Sequence, residues 1–265
     1  MQFEFINFHV EAQVAHLVLN RPDVLNSFNQ KMGEEVLAAL AQVSDRPEIR
    51  SLLLTGAGRG FSAGQDLSEV ARPKNSSKPP LDLGDLVANR YNRIVLGIRK
   101  LRVPVICAVN GVAAGAGANI ALACDIVVAA ESASFIQSFG KIGLIPDSGG
   151  TFFLPRLVGF GRASAMMMLG EKIGAKEAER IGLIYKAVPD NELAAVTKTM
   201  SEQLAQAPTF GLWQTKLALN DTFSHELEHQ LERERELQSL CGKSDDYTEG
   251  VTAFLEKRSP RFTGR

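Results

Sequence analysis

Val105-Ile106-Cys107-Ala108-Val109-Asn110-Gly111-Val112-Ala113-Ala114-Gly115-Ala116-Gly117-Ala118-Asn119-Ile120-Ala121-Leu122-Ala123-Cys124-Asp125-Ile126-Val127-Val128-Ala129-Ala130 is almost unbroken in apolar and small side chains, and it is long enough to cross a bilayer. Its punctuation argues against that reading. Pro104 opens the stretch, and Asn110, Asn119 and Asp125 interrupt it with polar groups. Gly111, Gly115 and Gly117 break any single helix. The stretch therefore reads as strand, turn, buried helix and strand inside a protein core.

The flanking sequence repeats the theme. Residues 14–19 and 51–55 are short aliphatic or β-branched runs, ended by Asn20-Arg21-Pro22 and by Gly56-Ala57-Gly58, as buried strands are. Between them, residues 29–44 carry Met32, Val36, Leu37, Leu40 and Val43 at helical spacing. Residues 105–109 and 126–129 are further strands, each followed by a helix-like segment. The pattern predicts an α/β fold with βαβ connections, a largely parallel sheet and right-handed crossovers. Residues 71–80, Ala-Arg-Pro-Lys-Asn-Ser-Ser-Lys-Pro-Pro, cannot bury apolar surface and read as a mobile loop, a candidate lid. From about residue 192 the chain turns helical.

Composition narrows the function classes. The 265 residues are 45% hydrophobic, enough for one large core. With 29 basic and 30 acidic residues well mixed, nothing favours nucleic acid or an anionic membrane as partner. The three cysteines, Cys107, Cys124 and Cys241, lack pair spacing, and the first two sit in apolar runs, so a reducing cytoplasm is expected. The N-terminus Met1-Gln2-Phe3-Glu4-Phe5 has no basic segment ahead of an apolar one, and no secretory signal is expected.

Three motifs carry chemistry worth weighing. In Gly143-Leu-Ile-Pro-Asp147-Ser-Gly-Gly-Thr151 a lone carboxylate sits at a proline and glycine turn within apolar sequence. Apolar surroundings disfavour its charge and move its pKa toward the range of a proton carrier. Asp before Ser-Gly-Gly is also a good N-cap for a helix from Thr151, and on sequence chemistry alone that plainer role leads. His225-Glu226-Leu227-Glu228-His229 matches the zinc-protease pattern, but the following Gln-Leu-Glu-Arg-Glu-Arg-Glu reads as a solvated helix face, and no metal is expected. The runs Gly56-Ala-Gly58-Arg-Gly60 and Gly115-Ala-Gly117 complete neither a dinucleotide fingerprint nor a phosphate loop. Such glycines can instead bring backbone N–H groups against a ligand, and two that converge make an oxyanion hole.

Four ordered blocks, Asn20-Arg21-Pro22 with Leu25-Asn26-Ser27, Phe61 to Leu67 (Phe-Ser-Ala-Gly-Gln-Asp-Leu), Asn110 to Gly117, and Pro146 to Thr151, resemble the crotonase (enoyl-CoA hydratase/isomerase) superfamily over essentially the whole chain. The resemblance implies a crotonase-like spiral of ββα units with a C-terminal helical trimerisation region. Residues 1–200 would form the core, and 201–265 a helical region that completes the CoA site and the oligomer interface. Residues 110–118 and the tail from Asp246 to Gly264 look closer to one branch, the phenylacetate-pathway isomerases that convert ring-1,2-epoxyphenylacetyl-CoA to oxepin-CoA.

Carried over residue by residue, the family's oxyanion hole falls on the backbone N–H groups of Gln65 and Ala116. The CoA-binding set falls on Leu25, Ala63 (its carbonyl toward adenine), Gly64, Asp66 and Leu67, with Phe254 and Lys257 reaching CoA from a neighbouring subunit. Gly115, Asn119, Ile136 and Phe139 would line the acyl pocket. Where hydratases of the family hold two glutamates, this chain has Asn119 and Phe139, and neither side chain can shuttle a proton at neutral pH. Asp147 stands where the family's isomerases place their carboxylate, which turns the reading from helix cap to proton carrier. The implied activity is a double-bond or epoxide isomerisation through a thioester enolate. No cofactor is expected beyond the CoA of the substrate, and a homotrimer or a dimer of trimers, with pathway enzymes as further partners, is the expected assembly. The rival readings are an enoyl-CoA hydratase, an RNA-binding relative and a non-catalytic subunit.

Overall fold

The structure, a computed structural model, describes residues 3–71 and 81–265. The chain opens on an antiparallel hairpin, β1 (Ile6–Glu11) and β2 (Val14–Leu19), turned by Ala12 and Gln13 at positive φ. Asn29 caps α1 (Gln30–Asp45) by accepting from the Met32 N–H, and Met32, Val36, Ala39, Leu40 and Val43 form its buried stripe.

From there the chain winds in a repeating unit of two strands and a helical passage. β3 (Ser51–Gly56) and β4 (Gly60–Ser62) lead to α2 (Leu67–Val70), α3 (Leu83–Leu86), a π-helical stretch at Val87–Tyr91, and α4 (Asn92–Lys100). β5 (Val105–Val109) and β6 (Val112–Ala114) lead to α5 (Ala116–Leu122). β7 (Ile126–Ala130) and β8 (Ser134–Ile136) lead to α6 (Gly150–Val158) and α7 (Phe160–Leu169). β9 (Lys172–Gly174), α8 (Ala175–Arg180) and β10 (Lys186–Val188) follow, and then α9 (Leu193–Ala205), α10 (Thr209–Asp221), α11 (Leu227–Cys241) and α12 (Asp245–Glu256).

The first strand of each pair joins a six-stranded sheet, β1-β2-β3-β5-β7-β10, and the second joins a four-stranded sheet, β4-β6-β8-β9. Pairing is parallel except for β1 with β2 and β8 with β9. The sequence predicted strands 14–19 and 105–109 as they stand, but plain βαβ alternation is corrected to ββα. The second strands are three residues each, too short to show a period of their own. Helix α9 lies across β2, β3, β5 and β7, so β5 is buried on both faces and reads as one apolar run. No described helix is long and apolar enough to cross a membrane. Residues 72–80, which hold most of the expected loop, lie outside the described residues.

Polar ties fasten the C-terminal helices to this core. Lys216 on α10 is buried, and its ammonium donates to the Ile98 carbonyl at 2.9 Å and to Asp125 Oδ2 at 2.8 Å. Asp125 also accepts from Arg99 Nη1 at 2.8 Å and from the Val105 N–H at 2.9 Å. Burial lowers the Lys216 pKa despite the attraction of Asp125. The tail is strapped down as well: Arg50 donates to the Phe262 carbonyl at 2.8 Å, and Asp246 accepts from the N–H groups of Thr263 and Gly264 at 2.6 and 2.9 Å. Glu226 is the N-cap of α11, so His225 precedes the helix; its ring lies 6.4 Å from that of His229, both on the exposed side of the chain. Truncating Lys216→Ala leaves Asp125 with one cation fewer in a buried setting, and the urea unfolding free energy should fall by about 3 kcal/mol.

Candidate active site

The site begins with a buried asparagine. Asn26, at φ +53°, accepts from the Arg21 N–H at 2.8 Å and donates to the carbonyls of Ala57 at 2.9 Å and Gly60 at 2.8 Å. Arg21 in turn donates to the Ser27 carbonyl and to Asp66 Oδ2, the latter at 3.0 Å. The block Asn20 to Ser27 is thus the scaffold of the loop that follows β4. On that loop the Phe28 N–H donates to the Gly64 carbonyl at 2.7 Å and the Asp66 N–H to the Phe28 carbonyl at 2.9 Å. Gln65, between them in this parallel bridge, has its own N–H directed away from Phe28.

Gly64 decides what that N–H sits beside. Its φ is +86°, and a Cβ there would stand 2.7 Å from the Ala114 carbonyl oxygen and 3.2 Å from the Ala116 nitrogen. Ala116 is the first residue of α5, whose N–H has no acceptor within the helix. Gly117 lets α5 seat on β4, since a Cβ there would stand 2.7 Å from Ser62. Gln65 and Ala116 therefore come close together, and both line a cavity of about 630 Å³.

That cavity is mostly apolar, with Leu67, Val70, Leu86, Val87, Phe139 and Ile142 on its wall. Asp147 is the only carboxylate among the described residues that line it, and no histidine does. The expected cap is corrected: α6 starts at Gly150 behind Gly149 at φ +79°, with no side-chain cap, and the Asp147 carboxylate is left for the cavity. Asp147 Oδ1 accepts from its neighbour Ser148 Oγ at 2.7 Å. Burial pushes its carboxyl above the usual range, against that hydrogen bond, which favours the charged form.

The remaining expected residues fall into three places. Ala63, Leu67, Gly115 and Phe139 line the cavity. Leu25, Gly64, Asp66, Asn119 and Ile136 do not. Leu25 packs toward Gly60, and Asp66 caps α2 and pairs with Arg21. Asn119 lies fully buried behind the wall, where it donates to the Asp147 carbonyl at 2.8 Å and accepts from Gln137 at 2.7 Å. It thus holds the backbone of the turn that presents Asp147. Phe254, 82% exposed, and Lys257, just beyond α12, lie away from this cavity within the one chain.

Sequence reasoning missed Tyr91. Its ring is buried, and its hydroxyl donates to Gln65 Oε1 at 2.6 Å, while the Gln65 amide donates to Glu69 at 2.9 Å. Burial, above all, pushes the phenol up, so it remains a donor. The only sequence signal was an aromatic among the apolar positions of a helix, which is ordinarily core.

A spiral of ββα turns defines a class, and the chain belongs to it: the model of the enoyl-CoA hydratase/isomerase family matches residues 9–265. Among its relatives is the 1,2-epoxyphenylacetyl-CoA isomerase of Escherichia coli strain K12, 51% identical over 262 residues that cover 99% of both chains. A probable enoyl-CoA hydratase of Rhodobacter capsulatus is 44% identical over the full length of both. A crystal structure of a putative enoyl-CoA hydratase/isomerase from Mycobacterium abscessus superposes with a TM-score of 0.93 at 36% identity, covering 98% of this chain and all of that one.

Gly64→Ala should cost more than about 2 kcal/mol in urea unfolding, from the positive φ and the Ala114 contact together. An unchanged midpoint would show that the loop has room to shift.

Proposed function

We propose that the chain is a CoA-thioester isomerase that moves a double bond by proton transfer through a thioester enolate. The observation that carries this is one buried carboxylate, Asp147, on the wall of a mostly apolar cavity that Gln65 and Ala116 also line. The thioester carbonyl oxygen would accept from the N–H groups of Gln65 and Ala116. Loss of the α-proton to Asp147 puts negative charge on that oxygen, and each donor there can supply on the order of 3 to 4 kcal/mol. Asp147 then returns the proton two carbons further along, so a β,γ double bond moves into conjugation and a single carboxylate suffices.

The preferred substrate in this proposal is ring-1,2-epoxyphenylacetyl-CoA, in which the same shift coupled to ring opening gives oxepin-CoA. Support comes from the 51% identity to the E. coli isomerase and from the aromatic and aliphatic wall around Tyr91, Phe139 and Leu86. Hydration of an enoyl-CoA is the rival, favoured by the name of the R. capsulatus relative. Against it, Asn119 is committed to the Asp147 backbone and Phe139 offers no site for a water. CoA itself would lie along Ala63 and Leu67, with Phe254 and Lys257 supplied by the next subunit of a trimer or dimer of trimers. Phe254 and Leu255, 82% and 74% exposed on one helix, suit such a contact. No cofactor beyond the substrate's CoA enters the scheme, and a reducing cytoplasm suits its three free thiols.

The deciding assay is conversion of a 3-enoyl-CoA to its 2-enoyl isomer, followed by the aromatic epoxide, with crotonyl-CoA hydration alongside. Asp147→Asn should lose at least about a hundredfold in kcat while still binding CoA ester. Full turnover in this variant, or hydration as the faster reaction, would sink the proposal. The wild-type rate should fall on the acid side along a limb displaced above the ordinary carboxylate range, because the base must be ionised and burial resists that.

The same shift has a stability sign. A carboxyl whose pKa is raised in the fold destabilises it once both states are ionised, and not at all below the unfolded pKa, where both are protonated. Asp147→Asn should therefore melt higher than wild type at pH 7, with the difference closing toward pH 4. Tyr91→Phe, which removes the hydrogen bond that fixes the Gln65 side chain, should lower kcat by about three- to tenfold with KM little changed.

A further inference from the structure

The β1–β2 hairpin carries a second cluster of chemistry-bearing side chains, outside the cavity. The antiparallel register sets His9 directly opposite His16, and strand alternation puts Glu11 on the same face as His9. The two imidazoles lie parallel, 1° apart in plane, with ring centroids 4.6 Å apart. One ligand atom from each of His9, Glu11 and His16 falls within 4.8 Å of the others. Lys198 and Glu202 of α9 face the same spot: Lys198 Nζ is 3.9 Å from Glu11 Oε1 and 3.8 Å from Glu202 Oε1.

We infer that His9, His16 and Glu11 form a binding site for a divalent transition-metal ion of the Zn²⁺ type, with Glu202 nearby as a fourth donor, through oxygen. Two imidazoles and a carboxylate are ligands for Zn²⁺ rather than for Mg²⁺ or Ca²⁺, which take oxygen shells. Metal–ligand distances of about 2.0 to 2.2 Å put tetrahedral ligand atoms about 3.3 Å apart. Small side-chain rotations close the cluster to that spacing, and His9 and Glu11 are exposed and free to make them. Lys198 is the competitor, since its ammonium holds Glu11 and Glu202 through exposed, solvent-screened contacts that a dication would displace.

The site would act as a clip. Strand β1 is an edge strand paired only with β2, and a bound ion joins the two strands and, through Glu202, helix α9. No window of sequence signals it, because His-x-Glu-x4-His crosses a turn and becomes a cluster only in register. The zinc-protease pattern at His225 and His229 serves as the internal control.

The test titrates the chelator-stripped full-length chain with Zn²⁺ against a chromophoric chelator, in a buffer without phosphate. One Zn²⁺ per chain at micromolar affinity is expected, with a matching rise in melting temperature and no response to Mg²⁺. His9→Ala or His16→Ala should weaken binding more than about tenfold. Lys198→Ala should tighten it, and the double substitution His225→Ala with His229→Ala should leave it unchanged. Absence of stoichiometric binding to the wild type, or binding that survives removal of both His9 and His16, would overturn the assignment.

Discussion

The near-contact between Gly64 and the Ala114–Ala116 segment is the constraint on which the rest of the site depends. Two strand ends from successive turns of the spiral meet there with no room for a side chain, since a Cβ on Gly64 would fall 2.7 Å from the Ala114 carbonyl oxygen. Because they meet, Gln65 and Ala116, whose N–H groups are the proposed donors, line the same cavity. Everything around the contact holds it. Asn26 pins the turn at Ala57 and Gly60, Asn110 donates to Gly58 at 2.9 Å, and Gly117 lets α5 close onto Ser62. The donors belong to backbone fixed by a core, so their direction does not depend on mobile side chains, which is the condition for preorganised electrostatic stabilisation.

In the same cavity the structure keeps a carboxylate in a place that disfavours its charge. Asp147 has a side-chain partner in Ser148, and burial outweighs it. Its position is enforced through the main chain: Asn119 and the Gly150 N–H both reach its carbonyl at 2.8 Å. An asparagine suits that task because it donates to one carbonyl while accepting from Gln137 at 2.7 Å. In the proposed reaction this division of labour leaves the carboxylate free, since the turn is anchored by peptide groups. The stability forgone at Asp147 is the familiar cost of an active group held in an apolar setting.

The C-terminal helices add a different kind of order. They are joined to the spiral by long-range polar contacts, Lys216 to Asp125 and Arg50 to the tail carbonyl of Phe262, rather than by sheet pairing. Their outer faces leave Phe254 and Leu255 in solvent. In the proposed trimer these two side chains would be covered by the next subunit.

The sequence by itself determined the strands at 14–19 and 105–109, a helix over residues 29–44, the breaks at Gly111 and Gly115, and the ordered blocks that resemble one family. These are local or linear features, carried by hydrophobic period, by glycine and by residue order. Only the tertiary structure decided that Asp147 caps nothing, that Asn119 lies behind the cavity wall, that Tyr91 holds the Gln65 side chain from 26 residues away, and that His9, Glu11 and His16 share a face. Each of these depends on which strands pair in which register and on how closely two turns approach. Such contacts are set by the packing of the whole chain, and no window of sequence contains them.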